Sequence, residues 1–178
     1  MIPNRTIKLR HMVSAKVAII FLLFLSSTTL NAQTPTNYSG KWQFNRTKSI
    51  LDKIEPDYDG TIILEIVQNS DSITFGEIYI RPGSPDWKTA TESYNLNGKE
   101  KITKSGVGTN KNSATWSEDK KVLTITNTDT QKLKGVLQDF FVRDSYILSD
   151  DGLTLTIERY QKNPVTGETK VKKVYSKQ

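Results

Sequence analysis

The chain has 178 residues, of which 35% are hydrophobic and 25% are charged, a composition that is ordinary for a soluble globular protein and argues against disorder. It has no cysteine, and its one histidine (His11) and two methionines (Met1 and Met12) all precede the apolar run 17–25. The rest of the chain therefore lacks the side chains for Ser–His or Cys–His catalysis and for zinc, copper or haem ligation. No metal site and no cofactor are expected.

Residues 1–32 follow the order of a cleaved signal peptide. Its basic residues are Arg5, Lys8, Arg10 and Lys16. The apolar run 17–25 is too short to cross a bilayer, which takes about 20 residues, and small polar residues follow it up to Ala32. We expect cleavage after residue 32 in a bacterial host, export to the periplasm or the medium, and no stable membrane anchor afterwards. The alternative is an uncleaved anchor helix.

Removing that segment changes the charge of the chain. All 4 basic residues of the segment are lost, so 21 basic residues face 19 acidic ones, and the formal charge of +6 falls to about +2. A basic surface for nucleic acid or for a membrane is therefore not expected. The remaining residues, 33–178, have no disulfides, but they are enough to bury a core of their own, and we predict that they form one domain.

Short runs of alternating apolar and polar residues dominate from residue 38 onward, and turn residues interrupt them at regular intervals. This pattern predicts antiparallel strands. The predicted strands are Tyr38–Asn45, Thr61–Gln68, Ser72–Arg81, Thr89–Leu96, Lys99–Lys104, Ser113–Ser117, Lys121–Thr128, Gln138–Leu148, Leu153–Gln161 and Val171–Tyr175. Gly76 and Gly108 are candidate bulges or bends.

The segment Arg46–Gly60 does not fit this series of strands. Residues 49–54 have the composition of one or two helical turns, and Pro56 and Asp59-Gly60 follow. We interpret the segment as a long first connection. It is either a solvated loop pinned to the body by its aliphatic side chains or a lid over an open end.

Strands without repeated helices predict an all-β fold, either a sandwich or an antiparallel up-and-down β-barrel of about 8–10 strands. We favour the barrel because closure removes exposed sheet edges. The basic C-terminus alternates with apolar residues and predicts an edge strand protected by lysines. The alternative for these lysines is a surface that binds anions. They are Lys170, Lys172, Lys173 and Lys177.

The segment 37–44, with Gly40 and Trp42, resembles the Gly-x-Trp opening strand of lipocalins and of lipocalin-like domains in small exported bacterial proteins. The segments 115–125 and 146–155 also resemble hairpins of those domains. The resemblance implies a lipocalin-like barrel and no catalytic signature. It further implies that a late-strand arginine, here Arg159, lies across Trp42 and helps to close the barrel end by cation–π packing.

If the barrel holds a ligand, aromatic residues on the inward parity are the candidates for its lining. These are Phe75, Tyr79, Tyr94, Trp116, Phe140 and Tyr146. The alternative is that the same side chains simply fill the interior, as they do in small solid barrels.

Two carboxylates share strand faces with apolar residues. Glu77 lies between Phe75 and Tyr79, and Asp144 lies between Val142 and Tyr146. Such groups can act as proton shuttles or as a glycosidase-like pair. The alternatives are an exposed face or ion pairs with Arg81 or Arg143.

Three functions follow from these observations. The first is a non-enzymatic binding protein that holds a small apolar or amphipathic ligand in the barrel. The second is a solid barrel whose loops bind or inhibit a protein partner. The third is a hydrolase or isomerase that works through carboxylates and tyrosine. An interior cavity separates the first from the second, and convergence of the carboxylates inside that cavity separates the third.

Overall fold

The computed structural model describes residues 33–52, 59–106 and 108–178. Residues Gln33–Gln178 form one compact unit. The predicted signal peptide lies outside the described residues, as does the part 53–58 of the predicted first connection. No helix among the described residues is long and apolar enough to cross a membrane.

The described chain is almost entirely β-structure. One 3₁₀ turn, Arg46–Lys48, follows the first strand. The strands are β1 Gly40–Phe44, β2 Thr61–Gln68, β3 Ser72–Ile80, β4 Trp87–Lys88, β5 Glu92–Asn95, β6 Lys101–Lys104, β7 Gly108–Trp116, β8 Val122–Leu133, β9 Val136–Leu148, β10 Thr154–Asn163 and β11 Gly167–Lys177.

All strand pairs are antiparallel, and the sheet order is β4-β3-β2-β1-β11-β10-β9-β8-β7-β6, with β5 also paired to β3. The sheet curls back on itself, as a contact between distant strands shows: Phe75 of β3 stacks on Tyr146 of β9 with ring centroids 4.9 Å apart. Cα atoms of β5 and β7 approach within 8 Å across the seam. The prediction of an all-β, antiparallel up-and-down barrel is confirmed.

Alternation of side chains produces the interior, as the period of two requires. The residues Leu64, Ile73, Leu123 and Leu155 face inward with at most 5% exposure. Most residues of the opposite faces are polar, although Ile63, Ile78 and Val174 on those faces are also buried. Curling of the sheet buries the inward apolar face of each strand.

The number of strands is one more than the predicted maximum of ten, for a local reason. The predicted strand 89–96 is shortened to β5, and the two-residue strand β4 precedes it. β4 and β5 pair with different parts of β3. Glu77 opposes the interruption, where its N–H donates to the Thr89 hydroxyl at 2.9 Å and its C=O accepts from the Thr89 N–H at 2.9 Å. Two residues of β3, Gly76 and Glu77, oppose the three residues 89–91, so the strand opposite Gly76 carries one extra residue.

The prediction of a C-terminal edge strand is wrong. β11 pairs with β10 along its whole length and with β1 on its other side. Beyond β1, Ile50 continues the pairing through a bridge to Lys172. Lys170 and Lys172 flank the inward Val171, and Lys173 lines the cavity beside it, so protection of an edge is not their role.

The predicted helical turns at 49–54 are also not found in the described part of that segment. The 3₁₀ turn precedes them, and Ile50 is extended and 67% exposed. The Asn45 side chain caps the 3₁₀ turn by accepting from the Lys48 N–H at 3.1 Å. The interpretation of the connection as a lid falls largely on residues outside the described ranges.

The strand directions give the barrel two different ends. At the closed end lie residues 33–39 and the turns that join β2 to β3, β7 to β8 and β9 to β10. At the open end lie the turns that join β8 to β9 and β10 to β11, together with residues 81–86. Gly40 begins β1 at the closed end with φ +142°, a conformation that L side chains rarely adopt.

Candidate functional site

The barrel contains a cavity of about 1040 Å³. Its lining includes Asn163 and Thr166 beside the β10–β11 turn, which places part of the cavity at the open end. Four of the predicted lining residues contribute to its wall: Phe75, Tyr79, Tyr94 and Tyr146. The interior is therefore not filled along its whole length, although the closed end is.

The other two predicted lining residues lie elsewhere. Trp116 is half-buried at the closed end, where its ring stacks on Tyr38 with centroids 5.9 Å apart. Phe140 is half-buried on β9 opposite Asp129, beyond the part of the strand that lines the cavity. Trp116 lies too close to the closed end to line the cavity. Phe140 lies beyond the cavity, toward the open-end turn of the long β8–β9 hairpin.

One wall of the cavity is apolar. Phe75 stands at its centre, stacked on Tyr146 at 4.9 Å and edge-on to Tyr94 at 6.0 Å. Such aromatic pairs add to the free energy gained by burial. The aliphatic members of this wall are Leu64, Val142, Ile157 and Val171.

The closed end is filled by Tyr38, which precedes β1 and is fully buried. Its hydroxyl lies 2.8 Å from the Lys121 carbonyl oxygen and 2.7 Å from the Tyr146 carbonyl oxygen. The Trp42 indole N–H donates to the Tyr38 carbonyl at 2.9 Å. Burial raises the pKa of Tyr38 to about 12. Tyr38 therefore ties the N-terminal segment across the base of the barrel as a neutral phenol.

An ion pair lies in the cavity wall. The Asp144 carboxylate is buried and accepts from Arg159 Nε and Nη2, both at 2.7 Å. The two residues are direct partners in the β9–β10 ladder. This bidentate geometry neutralises a carboxylate that burial would otherwise disfavour. The predicted partner Arg143 instead lies over the Tyr160 ring at 5.4 Å.

The predicted packing of Arg159 across Trp42 is wrong. Lys177 lies over the Trp42 ring, with Nζ 5.4 Å from the ring centroid, because Trp42 opposes Lys177 in the β1–β11 ladder. Arg159 opposes Val171, six residues earlier on β11. Six residues of strand span about 20 Å, so the two side chains cannot meet.

Two Glu-x-Tyr segments line the cavity on neighbouring strands. The Tyr79 hydroxyl donates to Glu77 Oε2 at 2.6 Å, and the Tyr94 hydroxyl donates to Glu92 Oε2 at 2.7 Å. Tyr94 also accepts from Asn127 Nδ2 at 3.1 Å, a bond that reaches from β5 across the seam to β8. Burial raises the pKa of the Tyr94 hydroxyl, which therefore stays protonated as the donor to Glu92.

Glu77 and Asp144, the two candidate catalytic carboxylates, both line the cavity. Both oxygens of Asp144 are engaged by Arg159, and Glu77 accepts from Tyr79. A residue that transfers protons needs an oxygen directed at the substrate. The geometry of Asp144 serves charge neutralisation and gives no support to an acid–base pair. No three His, Cys, Asp or Glu residues within the described ranges form a group that could hold a metal ion.

Sequence reasoning missed most of the polar lining. The missed residues include Glu92, Asn110, Asn112, Asn127, Gln161, Thr169 and Lys173. Inward residues are recognised in the sequence by the alternation of apolar and polar side chains. Where the cavity wall is polar, both faces of the strand are polar, so this alternation is absent and the inward residues are not predicted. The pairing of Asp144 with Arg159 did leave a signal. Once the β9–β10 turn is placed, counting four residues back from Leu148 and four on from Leu155 brings them opposite each other.

Comparison with known proteins adds little. No family model matches the chain, and no curated protein matches it. Among solved structures, it is similar to the zebrafish ileal bile acid-binding protein in complex with cholic acid, at 19% sequence identity. The match covers 79% of this chain and 98% of the zebrafish protein, with a TM-score of 0.38. A score this low carries no argument about the ligand, and the fold rests on the strand order and the contacts across the barrel.

Proposed function

We propose that this chain is a non-enzymatic binding protein that holds a small amphipathic molecule in the cavity of its barrel. The observation that carries the proposal is the cavity of about 1040 Å³ with an apolar wall around Phe75 and a polar wall toward the open end. Ligand sites typically have roughly 300–1,000 Å³ and combine these two kinds of lining. The solid-barrel alternative requires a filled interior and is disfavoured by the same observation.

The lining indicates how such a ligand would lie. Its apolar part would pack on the Phe75, Tyr146 and Ile157 side of the cavity, which adjoins the filled closed end. Its polar part would face the amide groups of Asn110, Asn112 and other residues toward the open end. This orientation keeps the polar part near water and removes the apolar part from it.

The test is titration of the purified protein with Nile red, an uncharged apolar dye, followed by fluorescence. Val142 lines the cavity and is half-buried, so Val142→Trp places an indole ring inside the cavity and we expect at least tenfold weaker binding, an estimate of about 1.4 kcal/mol. The matched control is Ser145→Trp, which introduces the same side chain on the outer face of the same strand. Equal loss in both variants, or no binding by the unmodified protein, would contradict the proposal.

Native mass spectrometry of protein purified from its exporting host is the complementary measurement. A co-purifying small molecule that is absent from Val142→Trp and present in Ser145→Trp would identify the natural ligand. If neither protein carries a bound molecule and Nile red does not bind, protein partners of the loops become the better hypothesis.

We also propose that residues 1–32 direct export and are removed. The basis is the sequence order of basic, apolar and small residues. Intact mass and N-terminal sequencing of the protein from the host provide the test, and a start close to Gln33 is expected. Placing a charge in the apolar run, as in Leu22→Arg, should leave the full-length chain inside the cell.

A further inference from the structure

The β8–β9 hairpin extends beyond its neighbours at the open end. β7 pairs with β8 only as far as Gln131, and β10 pairs with β9 only from Phe141 onward. The residues 132–137 pair only with each other, Lys132 with Leu137 and Leu133 with Val136. We call residues 132–137 the hairpin tip. Among the described strands, none flanks it on either side.

The hairpin tip also projects past the adjacent β10–β11 turn. Phe141 and Lys162 form the last β9–β10 pair. Beyond this pair, the β8–β9 hairpin extends about three residues farther than the β10–β11 hairpin does. Three residues of strand correspond to about 10 Å. The tip is therefore the first part of this region to meet a flat surface that approaches the open end.

The composition of the hairpin tip is apolar and basic. Val136 is 61% exposed and Leu137 is 67% exposed, although both are large hydrophobic residues. Lys132 and Lys134 lie beside them, and Lys134 occupies the apex of the turn with φ +49° next to Gly135 with φ +85°. The nearest acidic residues, Asp129 and Asp139, lie below the tip, where they accept from Gln131 and Thr130.

The same end of the barrel carries other exposed apolar side chains. Val165 at the β10–β11 turn is 73% exposed, and Trp87, which follows residues 81–86, is 61% exposed. The closed end also carries exposed apolar side chains, Val67 at 62% and Leu153 at 58%, and Leu153 there follows Asp150 and Asp151. What distinguishes the open end is the combination of exposed apolar and basic residues at the hairpin tip.

From this arrangement we infer that the hairpin tip docks the open end of the barrel on the surface of an anionic lipid bilayer. Val136 and Leu137 would enter the headgroup region, and Lys132 and Lys134 would contact lipid phosphates. Apolar insertion combined with basic side chains is the combination that holds peripheral proteins on such surfaces. The net charge of the whole domain does not indicate this, because the two lysines at the tip are offset by acidic residues elsewhere.

The size of the hairpin tip favours a bilayer over a protein partner. A stable protein interface takes roughly 20–30 residues and about 800 Å² on each side, far more than the six residues of the tip. A bilayer needs no matching shape, and insertion of two side chains already contributes. Docking in this orientation would bring the cavity mouth to the membrane, where an amphipathic ligand partitions.

The test is co-sedimentation of the purified protein with vesicles of phosphatidylcholine alone and of equal parts phosphatidylcholine and phosphatidylglycerol. Binding is expected only with the anionic vesicles, and it should weaken as salt is raised. Two exposed lysines at such a surface contribute roughly a 30-fold change in partition coefficient, so Lys132→Gln with Lys134→Gln should lose about that much. Val136→Ser with Leu137→Ser should lose at least about tenfold.

Matched controls come from the closed end. Leu153 is 58% exposed in the β9–β10 turn, so Leu153→Ser removes a comparable apolar side chain from the wrong end. Lys120→Gln with Lys121→Gln removes the same charge from the β7–β8 turn. Both controls should bind vesicles as the unmodified protein does. Equal losses in the control and tip variants would overturn the inference, as would absence of binding to anionic vesicles.

Two further readouts separate this inference from the proposed ligand site and from self-association. The tip variants should bind Nile red normally, whereas Val142→Trp should lose the dye and keep the vesicles. If vesicles fail to bind and sedimentation velocity shows dimers that the serine variant abolishes, the tip contacts a second copy and the inference is wrong. Near-ultraviolet circular dichroism should be unchanged in all tip variants, because the altered side chains are exposed.

Discussion

The two ends of the barrel use the same strands in opposite ways. At the closed end Tyr38, Trp42 and Trp116 fill the interior, and the polar atoms of Tyr38 and Trp42 have hydrogen-bond partners. Toward the open end the strands continue, but more of their inward side chains are polar, and they enclose a cavity. One end supplies the packing that stabilises the fold, and this leaves the other free to remain hollow.

The packed closed end also explains why a chain without disulfides tolerates a large cavity. The fully buried residues Tyr38, Trp42, Ile73, Leu123 and Leu155 belong to a single core cluster. Around the cavity, hydrogen bonds and an ion pair hold the wall, as in Tyr94 with Glu92 and Asp144 with Arg159. Substitutions at the two ends should therefore differ in what they change.

The largest effect is expected at the closed end. Trp42 is fully buried, so Trp42→Ala should lower the free energy of unfolding by about 3–5 kcal/mol, measured by urea denaturation. The comparison variant is Val171→Ala in the cavity wall, which removes fewer atoms beside existing empty space and should cost clearly less. A larger loss from Val171→Ala would mean that the closed end is not the main source of stability.

The next effect tests the wall of the cavity. Asp144→Asn removes the charge that Arg159 pairs with, and we expect a loss of about 1–3 kcal/mol, reduced from the fully buried case because the Arg159 side chain is 36% exposed. Glu65→Gln breaks the exposed Lys41–Glu65 pair, 3.6 Å apart, and should cost less than about 0.5 kcal/mol. Similar losses would show that the buried pair contributes no more than a surface one.

A smaller effect isolates one hydroxyl at the base of the barrel. Tyr38→Phe keeps the ring against Trp116 but leaves the Lys121 and Tyr146 carbonyl oxygens without that donor, which should cost about 1 kcal/mol by urea denaturation. The control Tyr79→Phe removes a hydroxyl from the half-exposed wall, where water can replace it, and should cost less. The reverse order would place the critical hydroxyl in the cavity.

The smallest effect concerns pH and the turns at the closed end. Hydrogen bonds from Ser117 and Ser149 lower the pKa of Asp119 and Asp151, respectively. A folded pKa below the unfolded value of about 3.9 means that the contribution to stability is present above that pH and is lost as pH falls through the folded pKa. Urea midpoints should therefore fall between neutral and acid pH, and less so in Asp119→Asn with Asp151→Asn. An identical fall in that variant would assign the acid sensitivity to other carboxylates.

The conformation of the same two turns is determined by local sequence. In both, the serine hydroxyl donates to the aspartate two residues on and accepts from a backbone N–H five residues on, at 2.9 Å. Such turns are set by neighbouring residues, so the sequence located them correctly. The β8–β9 turn was harder, because Lys134 adopts a positive φ where asparagine or glycine is usual, and the strands around it were predicted too short.

The sequence by itself determined the all-β class, most strand positions and an aromatic interior, because the period of two and the turn residues are local properties. Only the tertiary structure decided which inward residues face a cavity, that Asp144 meets Arg159, and that Lys177 and not Arg159 covers Trp42. These depend on register between strands that are distant in the chain and on the curl of the whole sheet. A polar cavity wall erases the alternation that sequence analysis uses, so the candidate site was predicted on its aromatic side and missed on its polar side.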